Sequence, residues 1–247
     1  MKTSGNTVFI PGATSGIGLA LAQRLQAAGN KVIVGGRRTE LLDQIATDHP
    51  GIEVVRIDTA DGDDIARVSA DLQQRFPDLD VVILMAGLMR SEDLRDPDFL
   101  DTATLEVQTN ILGPLRLIAA FTEFLAAQPH ATIITVSSGL AFTPMATTPT
   151  YSATKAFIHS FTESLRIQLA DSSVDVLELA PPAVQTDLMP GQAQAAWAMP
   201  LDDFVDEVMT LLPDAIDEIL VERVKPLRYS VQDGTYTQLM TALAHQA

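Results

Sequence analysis

Short, mostly apolar runs alternate along the chain with longer segments in which apolar residues recur every three or four positions. Runs rich in β-branched residues predict strands, and the longer recurrence predicts amphipathic helices. The predicted strands are TVFIPG (7–12), KVIVGG (31–36), IEVVRID (52–58), DVVILMAG (80–87), ATIITVSS (131–138) and VDVLELAPP (174–182). Because most of these runs are apolar throughout, we expect strands buried on both faces, as in a parallel sheet covered by helices.

The segments between these strands predict the helices. They cover residues 17–29, closed by Gly29, then 39–48 with Thr39 as N-cap, 61–76, 99–128 and 149–170. Beyond residue 182 the pattern weakens, and it predicts a helix at 202–212, a last strand at 218–224 and a terminal helix at 234–246. No repeat or linker interrupts the alternation. The fold class is therefore α/β: residues 1–247 form a single domain with a Rossmann-type, doubly wound parallel sheet of about seven strands and helices on both faces.

Composition narrows the classes of partner. The 247 residues carry a net charge of −16 with a pI near 4.4, which opposes binding to nucleic acid or to anionic membranes. No cysteine is present, which excludes disulfides and thiolate metal sites and is compatible with a reducing cytoplasm. The N-terminal residues lack a signal-peptide pattern, and the longest apolar run, VVILMAGLM (81–89), is too short to span a bilayer. We therefore expect a cytoplasmic protein with no nucleic-acid or membrane partner.

A glycine-rich segment, PGATSGIG, follows the first predicted strand and opens the first predicted helix. Glycines allow a tight turn and the close approach of a phosphate, and the helix N-terminus offers free N–H groups and partial positive charge. The spacing, G-x-x-x-G-x-G, is neither that of a P-loop nor that of a hydrolase nucleophile elbow. The segment predicts a dinucleotide site whose contacts come from Gly12, Thr14, Ser15, Gly16, Ile17 and Gly18.

The end of the second predicted strand indicates which dinucleotide binds. An NAD site usually places a carboxylate about 20 residues beyond the glycines, to hold the ribose 2′-hydroxyl. Here Gly36 stands at that position, and Arg37 and Arg38 follow it. Two cations just before a helix N-terminus oppose the helix dipole, and arginine suits bidentate phosphate contact. A solvated arginine pair is the alternative, but the missing acid favours a 2′-phosphate and hence NADP(H).

The stretch PTYSATKAF (149–157) contains one of the three tyrosines in the chain, Tyr151, with Lys155 four residues later. Residues four apart lie on one helix face, and Thr148-Pro149 suits an N-cap followed by the first helical residue. The pair is either a solvated lysine beside a surface tyrosine or an ammonium placed to act on a phenol. The rest of the sequence has to decide between these alternatives.

Taken together, these motifs resemble the short-chain dehydrogenase/reductase family, over residues 7 to about 188. The family's Y-x-x-x-K is matched in YSATK, its catalytic serine, thirteen residues before the tyrosine, in VSSGL, and its helix asparagine of N-x-x-G in TNILGP. The resemblance implies a catalytic tetrad of Asn110, Ser138, Tyr151 and Lys155.

Three more segments match positions that hold the cofactor in that family. They are RIDT, with the adenine-contacting aspartate, MAG in place of N-A-G, and PPAVQT in place of P-G-x-V-x-T. The cofactor contacts implied by the resemblance are Asp58, Thr59, Ala86, Gly87, Tyr151, Lys155, Pro181, Val184 and Thr186. Pro11, Met85 and Pro182 depart from the family pattern. They lie beside the expected cofactor and outside the tetrad.

The proposed chemistry needs a proton donor for a carbonyl that accepts hydride. Free tyrosine has a pKa near 10, and a neighbouring ammonium favours the phenolate, so we expect Lys155 to lower the pKa of Tyr151. Ser138 would donate a hydrogen bond to the carbonyl oxygen. Pro114 has no N–H for the carbonyl of Asn110, which would be free to hold the water of the family's proton relay. Alternatively, Gly113-Pro114 simply separates two helices.

We therefore predict an NADPH-dependent oxidoreductase that interconverts a carbonyl and a secondary alcohol on a small, largely apolar substrate. The substrate loop is expected at 187–204, opposite Leu140, Phe142 and Met145. One alternative is a redox sensor that binds NADP(H) without turnover. Another is an epimerase or dehydratase that uses the same Tyr/Lys pair, although the region after residue 188 is short for the substrate domain of such enzymes.

The remaining chemistry-bearing residues predict no metal site. His49, His130 and His245 fall near loops or the terminus, and His159 is expected at the surface or at an interface. A solvated helix face is expected for Asp202, Asp203, Asp206 and Glu207. We also predict a homodimer or homotetramer, because the outer faces of the two central helices are expected to carry Phe121, Phe124, Phe157 and Phe161.

Overall fold

The computed structural model describes residues 1–244. Seven strands alternate with the helices that cover them. The strands are β1 (Thr7–Pro11), β2 (Lys31–Gly36), β3 (Ile52–Arg56), β4 (Leu79–Leu84), β5 (Ala131–Val136), β6 (Val174–Leu179) and β7 (Glu218–Ile219). The helices are α1 (Gly16–Ala27), α2 (Thr39–Asp48), α3 (Gly62–Arg75), α4 (Phe99–Val107), α5 (Gly113–Ala126), α6 (Pro149–Gln168), α7 (Leu201–Leu211), α8 (Lys225–Arg228) and α9 (Tyr236–Ala244).

All seven strands belong to one parallel sheet in the order β3-β2-β1-β4-β5-β6-β7. The chain winds outward from β1 to one edge and then returns to β4 to build the other half. This confirms the predicted doubly wound fold. The order reverses between β1 and β4, and ligands of such sheets bind at that point, outside the carboxyl ends of the strands.

The alternation of side chains along β1 shows how the core is divided. Val8 and Ile10 point to the face covered by α1, α2 and α7, whereas Phe9 points to the face covered by α3, α5 and α6. All three are fully buried. Burial of such a side chain stabilises the fold by about 1.5–3 kcal/mol, so both layers of helices are held to the sheet by its own apolar residues.

The central helical region is not the continuous helix that its apolar pattern predicts. A wider π-helical turn, Gln108–Leu112, separates α4 from α5. Pro114 lies in the first turn of α5 and has no N–H to donate, which accounts for the irregular backbone just before it. Asn110 lies in the middle of this turn.

The C-terminal part departs most from the predicted elements. β7 comprises only Glu218 and Ile219, and residues 222–224 form a 3₁₀ turn that leads into α8. Its short pairing with β6 follows from its position at the edge of the sheet, where only one neighbour supplies hydrogen bonds. The predicted terminal helix corresponds to α9 as far as Ala244, and His245 lies outside the described residues.

One of the aromatic residues expected on an outer helix face lies in the core. Phe121 on α5 packs against Phe9, with 5.8 Å between ring centroids, and is 1% exposed. Phe124 and Phe161 are partly buried against the same cluster. Phe157 is exposed over 39% of its surface and stacks on Phe161. The sequence pattern was therefore wrong about Phe121, because α5 turns that side of the helix toward the sheet.

Candidate active site

The glycine turn after β1 packs directly against the segment that follows β4. Gly12 has φ +85°, and a Cβ at this position would overlap the backbone of Ala86, with the nitrogen of that residue only 2.7 Å away. Only glycine fits both the conformation and the space. The N–H of Gly12 donates to the carbonyl of Gly35 at 2.8 Å, which fixes the turn at the ends of β1 and β2.

Gly36 and Arg38 form the far wall of this turn. A side chain at position 36 would overlap the methyl group of Thr14, so the acid usual at this point in NAD sites has no room. The guanidinium of Arg38 donates instead to Thr14 Oγ1 at 2.6 Å and to Ser15 Oγ at 2.9 Å. Arg38, not Thr39, is the N-cap of α2, and its side chain makes no capping bond. The cation therefore faces the glycine turn.

A cavity of about 650 Å³ extends from the glycine turn to the tyrosine helix. Thirteen of the predicted cofactor residues line it: Gly12, Thr14, Ser15, Gly16, Ile17, Gly18, Arg38, Gly87, Tyr151, Lys155, Pro181, Val184 and Thr186. Met85 and Pro182, which depart from the family pattern, also line it. The cavity thus brings the first strand turn together with the ends of β4, β5 and β6, and its glycine cradle fits a dinucleotide.

Four predicted cofactor residues do not line this cavity. Arg37 is exposed, with its guanidinium 4.0 Å from the carboxylate of Asp58. Asp58 also accepts a hydrogen bond from the N–H of Ala60, in the turn after β3. Thr59 is buried, with its carbonyl against Gly113. Ala86 supports Gly12 from behind. Arg37 and Asp58 therefore pair outside the cavity, Ala86 supports the glycine turn, and Thr59 packs against the start of α5.

Asn110 is fixed by contacts with two neighbouring segments. Its side-chain amide donates to the carbonyl of Leu88 at 2.9 Å and accepts from the N–H of the same residue at 2.9 Å. It also donates to Thr154 Oγ1 on α6. A Cβ at Gly87 would lie 3.4 Å from Asn110 Oδ1 and 3.6 Å from Lys155 Nζ. The asparagine thus ties the π-helical turn to the end of β4, beside the lysine.

Lys155 is buried and points at the end of β5. Its Nζ donates to the carbonyl of Val136 at 2.8 Å and lies 5.5 Å from the ring centroid of Tyr151. Burial lowers the pKa of Lys155 to about 8, although Glu106 and Glu178 favour the charged form. The ammonium therefore lies beside the phenol ring while its hydrogen bond goes to the backbone.

The phenol of Tyr151 differs from expectation in its protonation. Burial raises the pKa of Tyr151 to about 12, a hydrogen bond with Ser138 favours the phenolate, and the charge of Glu106 adds to the increase. The prediction that Lys155 lowers the pKa of Tyr151 is therefore wrong when only the residues of the chain act on the phenol. The reason is that desolvation penalises the phenolate more than its neighbours stabilise it. At neutral pH the side chain holds its proton.

A carboxylate that sequence reasoning missed begins the tyrosine helix. Thr148 is the N-cap of α6, as predicted, but its hydroxyl makes no capping bond. Glu92, from the loop after β4, accepts from the N–H of Thr150 and from its hydroxyl, both at 2.8 Å. An acid at a helix N-terminus satisfies free N–H groups and complements the helix dipole. Glu92 therefore orients the turn that carries Tyr151.

A second missed acid, Glu106, lies one helical turn before Asn110. Its side chain is fully buried, and Oε1 accepts from the N–H of Arg90 at 2.8 Å. Oε2 has no hydrogen-bond partner within residues 1–244. Burial raises the pKa of Glu106 to about 7, and the charge of Glu92 raises it further. The apolar flanks of α4 gave no signal that this polar residue faces the interior.

A second cavity, of about 460 Å³, adjoins the first. Ser138 and Tyr151 line both cavities. Leu140 and Met145 form part of its wall, as predicted. Residues 188–192, Ala195 and Trp197 form the opposite side.

Two expected wall residues lie elsewhere, and the C-terminal helices supply two that the sequence did not predict. Phe142 packs edge-on against His159, with 4.7 Å between ring centroids, and Phe204 on α7 is fully buried in the core. Leu227 on α8 and Leu243 on α9 close the cavity instead. The C-terminal elements fold back over the site, a tertiary arrangement that their weak sequence pattern did not predict.

His159, expected at the surface or at an interface, is mostly buried among residues of its own chain. Its side chain is 19% exposed, and Nδ1 lies 2.8 Å from the carboxylate of Glu178. By contrast, the acidic face of α7 is exposed as predicted, with Asp202 and Asp206 paired to Arg24. Within residues 1–244, no helix is long and apolar enough to cross a membrane.

Comparison with known proteins agrees with this geometry. The sequence profile described as short chain dehydrogenase matches residues 6–196. The uncharacterized oxidoreductase DltE of Bacillus subtilis is 38% identical over 251 residues, which cover 98% of this chain and 99% of that protein. A short chain dehydrogenase from Burkholderia cenocepacia in complex with NADP superposes with a TM-score of 0.84, at 25% identity and 99% coverage of both chains.

An alcohol dehydrogenase from the archaeon Thermococcus sibiricus, complexed with 5-hydroxy-NADP, superposes with a TM-score of 0.78. Its identity is 25%, and the match covers 88% of this chain and 96% of that one. The profile match spans most of the chain, and the relative from B. subtilis matches over nearly the whole length of both proteins. The protein therefore belongs to the short-chain dehydrogenase family and is an NAD(P)-dependent oxidoreductase.

Proposed function

We propose that this protein interconverts a carbonyl and a secondary alcohol on a small, largely apolar molecule with NADP(H). The observation that carries the proposal is the shared wall of the two cavities. Ser138 and Tyr151 line both the glycine-turn cavity and the apolar one. A carbonyl group in the apolar cavity would lie next to the hydroxyls of Ser138 and Tyr151, on the side that faces the glycine-turn cavity.

The residues of the chain have distinct roles in this reaction. The cofactor, when bound, supplies or accepts the hydride. Tyr151, protonated at neutral pH, donates its phenolic proton to the oxygen of the reduced carbonyl. Ser138 donates a hydrogen bond to the same oxygen as charge develops on it. Lys155 supplies positive charge beside the phenol, and Asn110 holds the lysine side of the site in place.

The preference for NADP(H) is supported by the wall opposite the glycine turn. Arg38 reaches two hydroxyls of the turn, and Gly36 leaves no room for the acid that would repel a 2′-phosphate. Two of the similar structures hold NADP or an NADP derivative. Arg37, which pairs with Asp58 outside the cavity, is the second proposed phosphate ligand.

Titration calorimetry tests this preference. NADPH should bind at least about tenfold more tightly than NADH, the scale of one charge-assisted contact. Arg38→Ala and Arg37→Ala should weaken NADPH and leave NADH nearly unchanged. Arg75→Ala, at the opposite end of the sheet, is the matched control. Equal affinity of the wild-type protein for both cofactors would refute the preference.

The proposed substrate class follows from the second cavity. Its lining residues within the described chain include no charged side chain, and several are methionine, leucine or proline. A substrate with a carboxylate or phosphate would lose its hydration there without a cation to replace it. A panel of uncharged ketones and aldehydes, followed by NADPH oxidation, is therefore the screen to run.

The expected homodimer or homotetramer is proposed on the exposed residues that α4, the π-helical turn and α6 carry. Val107, Leu112 and Phe157 are each exposed over more than a third of their surface. Light scattering at micromolar concentration should give a mass above one chain, and a monomer would refute the assembly.

The decisive test of the reaction uses the tyrosine. Tyr151→Phe should retain less than about a tenth of wild-type turnover, because it lacks the proton donor, while cofactor affinity survives. Tyr236→Phe removes a hydroxyl outside both cavities and serves as the control. Retention of more than a tenth of the rate by Tyr151→Phe would eliminate Tyr151 as the acid.

A further inference from the structure

A buried polar cluster lies directly behind the proposed catalytic serine, and none of its members belongs to the tetrad. At its centre is Glu178 on β6, whose side chain is fully buried. One carboxylate oxygen accepts a hydrogen bond from the hydroxyl of Ser137, and the other lies 2.8 Å from His159 Nδ1. A carboxylate only accepts, so the imidazole N–H must donate to it. Both oxygens of this acid are therefore used.

The position of Ser137 connects the cluster to the reaction. Ser137 stands between Val136, whose carbonyl accepts from Lys155 Nζ, and Ser138, the proposed carbonyl ligand. Its backbone N–H donates to the carbonyl of Leu179 at 2.9 Å. Residue 137 is thus tied to β6 by both main chain and side chain. Any shift of Ser137 would move the anchor of the lysine and the hydroxyl of Ser138 together.

The charged groups around Glu178 come from three elements, α6, β7 and α8. On α6 lie Lys155, His159 and Glu163, the last with its carboxylate 3.9 Å from His159 Nε2. Glu218 on β7 completes the group. The guanidinium of Arg228 on α8 donates to both carboxylate oxygens of Glu218, at 2.8 and 3.2 Å. No other side chain within residues 1–244 accepts or donates a hydrogen bond to Glu178.

The ligand atoms of His159, Glu178 and Glu218 lie within 4.8 Å of one another, a spacing that a divalent cation could bridge. Arg228 already fills the coordination space of Glu218 with a cation. Protonated His159 balances Glu178, and Arg228 balances Glu218. The cluster is therefore neutral without a metal, and the pairing favours two ion pairs over a metal centre.

The cluster also reaches the wall of the apolar cavity. Phe142 packs between His159 and Arg228, with the guanidinium 4.6 Å from the ring centroid. The neighbour of Arg228 on α8 is Leu227, which lines the cavity and accepts a hydrogen bond from Thr143 at its carbonyl. The same group of side chains thus supports the serine on one side and the substrate wall on the other.

We propose that Glu178 and His159 are positioning residues that hold Ser137, and through it Ser138 and the anchor of Lys155, and that they do so fully only while His159 is protonated. The inference rests on the function proposed above. The hydrogen bond to Glu178 raises the pKa of His159 above 6.5, although burial opposes this. Glu178 also favours the ammonium form of Lys155. The imidazolium therefore persists to a higher pH than that of an exposed histidine.

Two substitutions separate hydrogen bonding from charge. His159→Asn keeps an N–H donor close to the position of Nδ1 but cannot be protonated, whereas His159→Leu removes both. The ratio of wild-type to His159→Asn kcat should be largest at pH 5–6, about tenfold or more, and should approach one as pH rises and the wild type loses its imidazolium. For His159→Leu the ratio should stay high at every pH. His130→Asn, an exposed histidine, is the control.

Glu178→Gln tests the partner. It keeps the shape and removes the charge: the amide oxygen can accept from His159, and the NH2 group must donate to the Ser137 hydroxyl, which reverses that hydrogen bond. Combining it with His159→Asn should therefore add no further loss of kcat. Cofactor affinity should stay within about threefold in all these variants. If the kcat–pH profiles of the wild type, His159→Asn and Glu178→Gln coincide, the proposal is overturned. A stoichiometric divalent metal in the purified protein, measured by emission spectrometry, would overturn it as well.

A measurement on the wild-type protein covers the case in which a variant does not fold. With ¹³C-labelled histidine, the His159 resonance should titrate above 6.5, and the Ser137 and Ser138 amide signals should shift with the same midpoint. Titration of His159 at or below the ordinary value, or serine signals that do not respond, would refute the inference without any substrate. An active Tyr151→Phe variant, by contrast, would refute the proposed reaction and leave this titration unaffected.

Discussion

Two acids near Lys155 have the same burial and opposite surroundings. Glu178 on β6 and Glu106 on α4 are both fully buried, and both favour the charged form of that lysine. Glu178 uses both oxygens, with Ser137 and His159. Glu106 uses one, with the N–H of Arg90, and the other has no partner within the described chain.

The comparison shows that burial alone does not decide the role of a carboxylate. Burial raises the pKa of Glu106 to about 7, because a single backbone N–H cannot replace the hydration of the charge. Glu178 faces an imidazole that can carry the balancing proton, and the hydrogen bond between them raises the pKa of His159. Glu106 can therefore take up a proton near neutral pH, whereas Glu178 keeps the proton on His159.

The largest expected effect is a difference in stability loss when each of the two acids is replaced by leucine. Glu178→Leu leaves a partly buried imidazolium without its counter-ion and the buried Ser137 hydroxyl without an acceptor, which should cost roughly 3–5 kcal/mol of stability at pH 6. Glu106→Leu leaves one backbone N–H unpaired and should cost about 1–3 kcal/mol. Urea unfolding of both variants measures the difference. Equal losses would mean that the pairing of Glu178 has no energetic weight.

A smaller effect, with a distinct pH dependence, is expected for Glu106→Gln. Because the pKa of Glu106 is raised from 4.5 to about 7, its contribution to stability is complete below pH 4.5 and is lost as pH rises to 7. At about 1.4 kcal/mol per pH unit, that loss is on the order of 3 kcal/mol.

Glutamine keeps the acceptor for Arg90 and cannot ionise. Glu106→Gln should therefore match the wild type at pH 4.5 and exceed its stability at pH 8, by on the order of 1–3 kcal/mol. Glu123→Gln, on the exposed face of α5, should give no such crossover. Unfolding curves that differ by the same amount at both pH values would contradict the assignment.

The smallest expected effect concerns a third acid, Glu92, whose charge acts on Glu106. Glu92→Ala removes the carboxylate that accepts from Thr150 at the start of α6 and should cost about 1 kcal/mol. It also removes a charge that raises the pKa of Glu106, so the carboxyl of Glu106 should titrate lower in this variant. ¹³C NMR of the glutamate carboxyls measures the shift. An unchanged Glu106 titration would show that burial acts alone.

Much of the site could be predicted because its residues follow strands directly. The glycine turn, Ser138 and the Pro181–Thr186 segment each come immediately after a buried strand, and parallel strands bring their carboxyl ends to one edge. The spacing of Tyr151 and Lys155 also fixes their common helix face. Local sequence determined these features, since a single strand or helical turn is enough to define them.

The remaining features depend on contacts between distant elements. Glu178, His159 and Arg228 lie on β6, α6 and α8, and Glu92 reaches α6 from a loop 58 residues earlier. Nothing in the sequence pairs these residues. The same holds for Phe121, which local periodicity left on the wrong face.

By itself, then, the sequence determined the doubly wound sheet, the glycine cradle and the Tyr/Lys pair, because apolar periodicity and short spacings act within one element. Only the tertiary structure decided which acids are buried, which of them are paired and how Tyr151 is protonated. Those properties depend on desolvation and on partners tens of residues away, and both exist only once the helices have packed against the sheet.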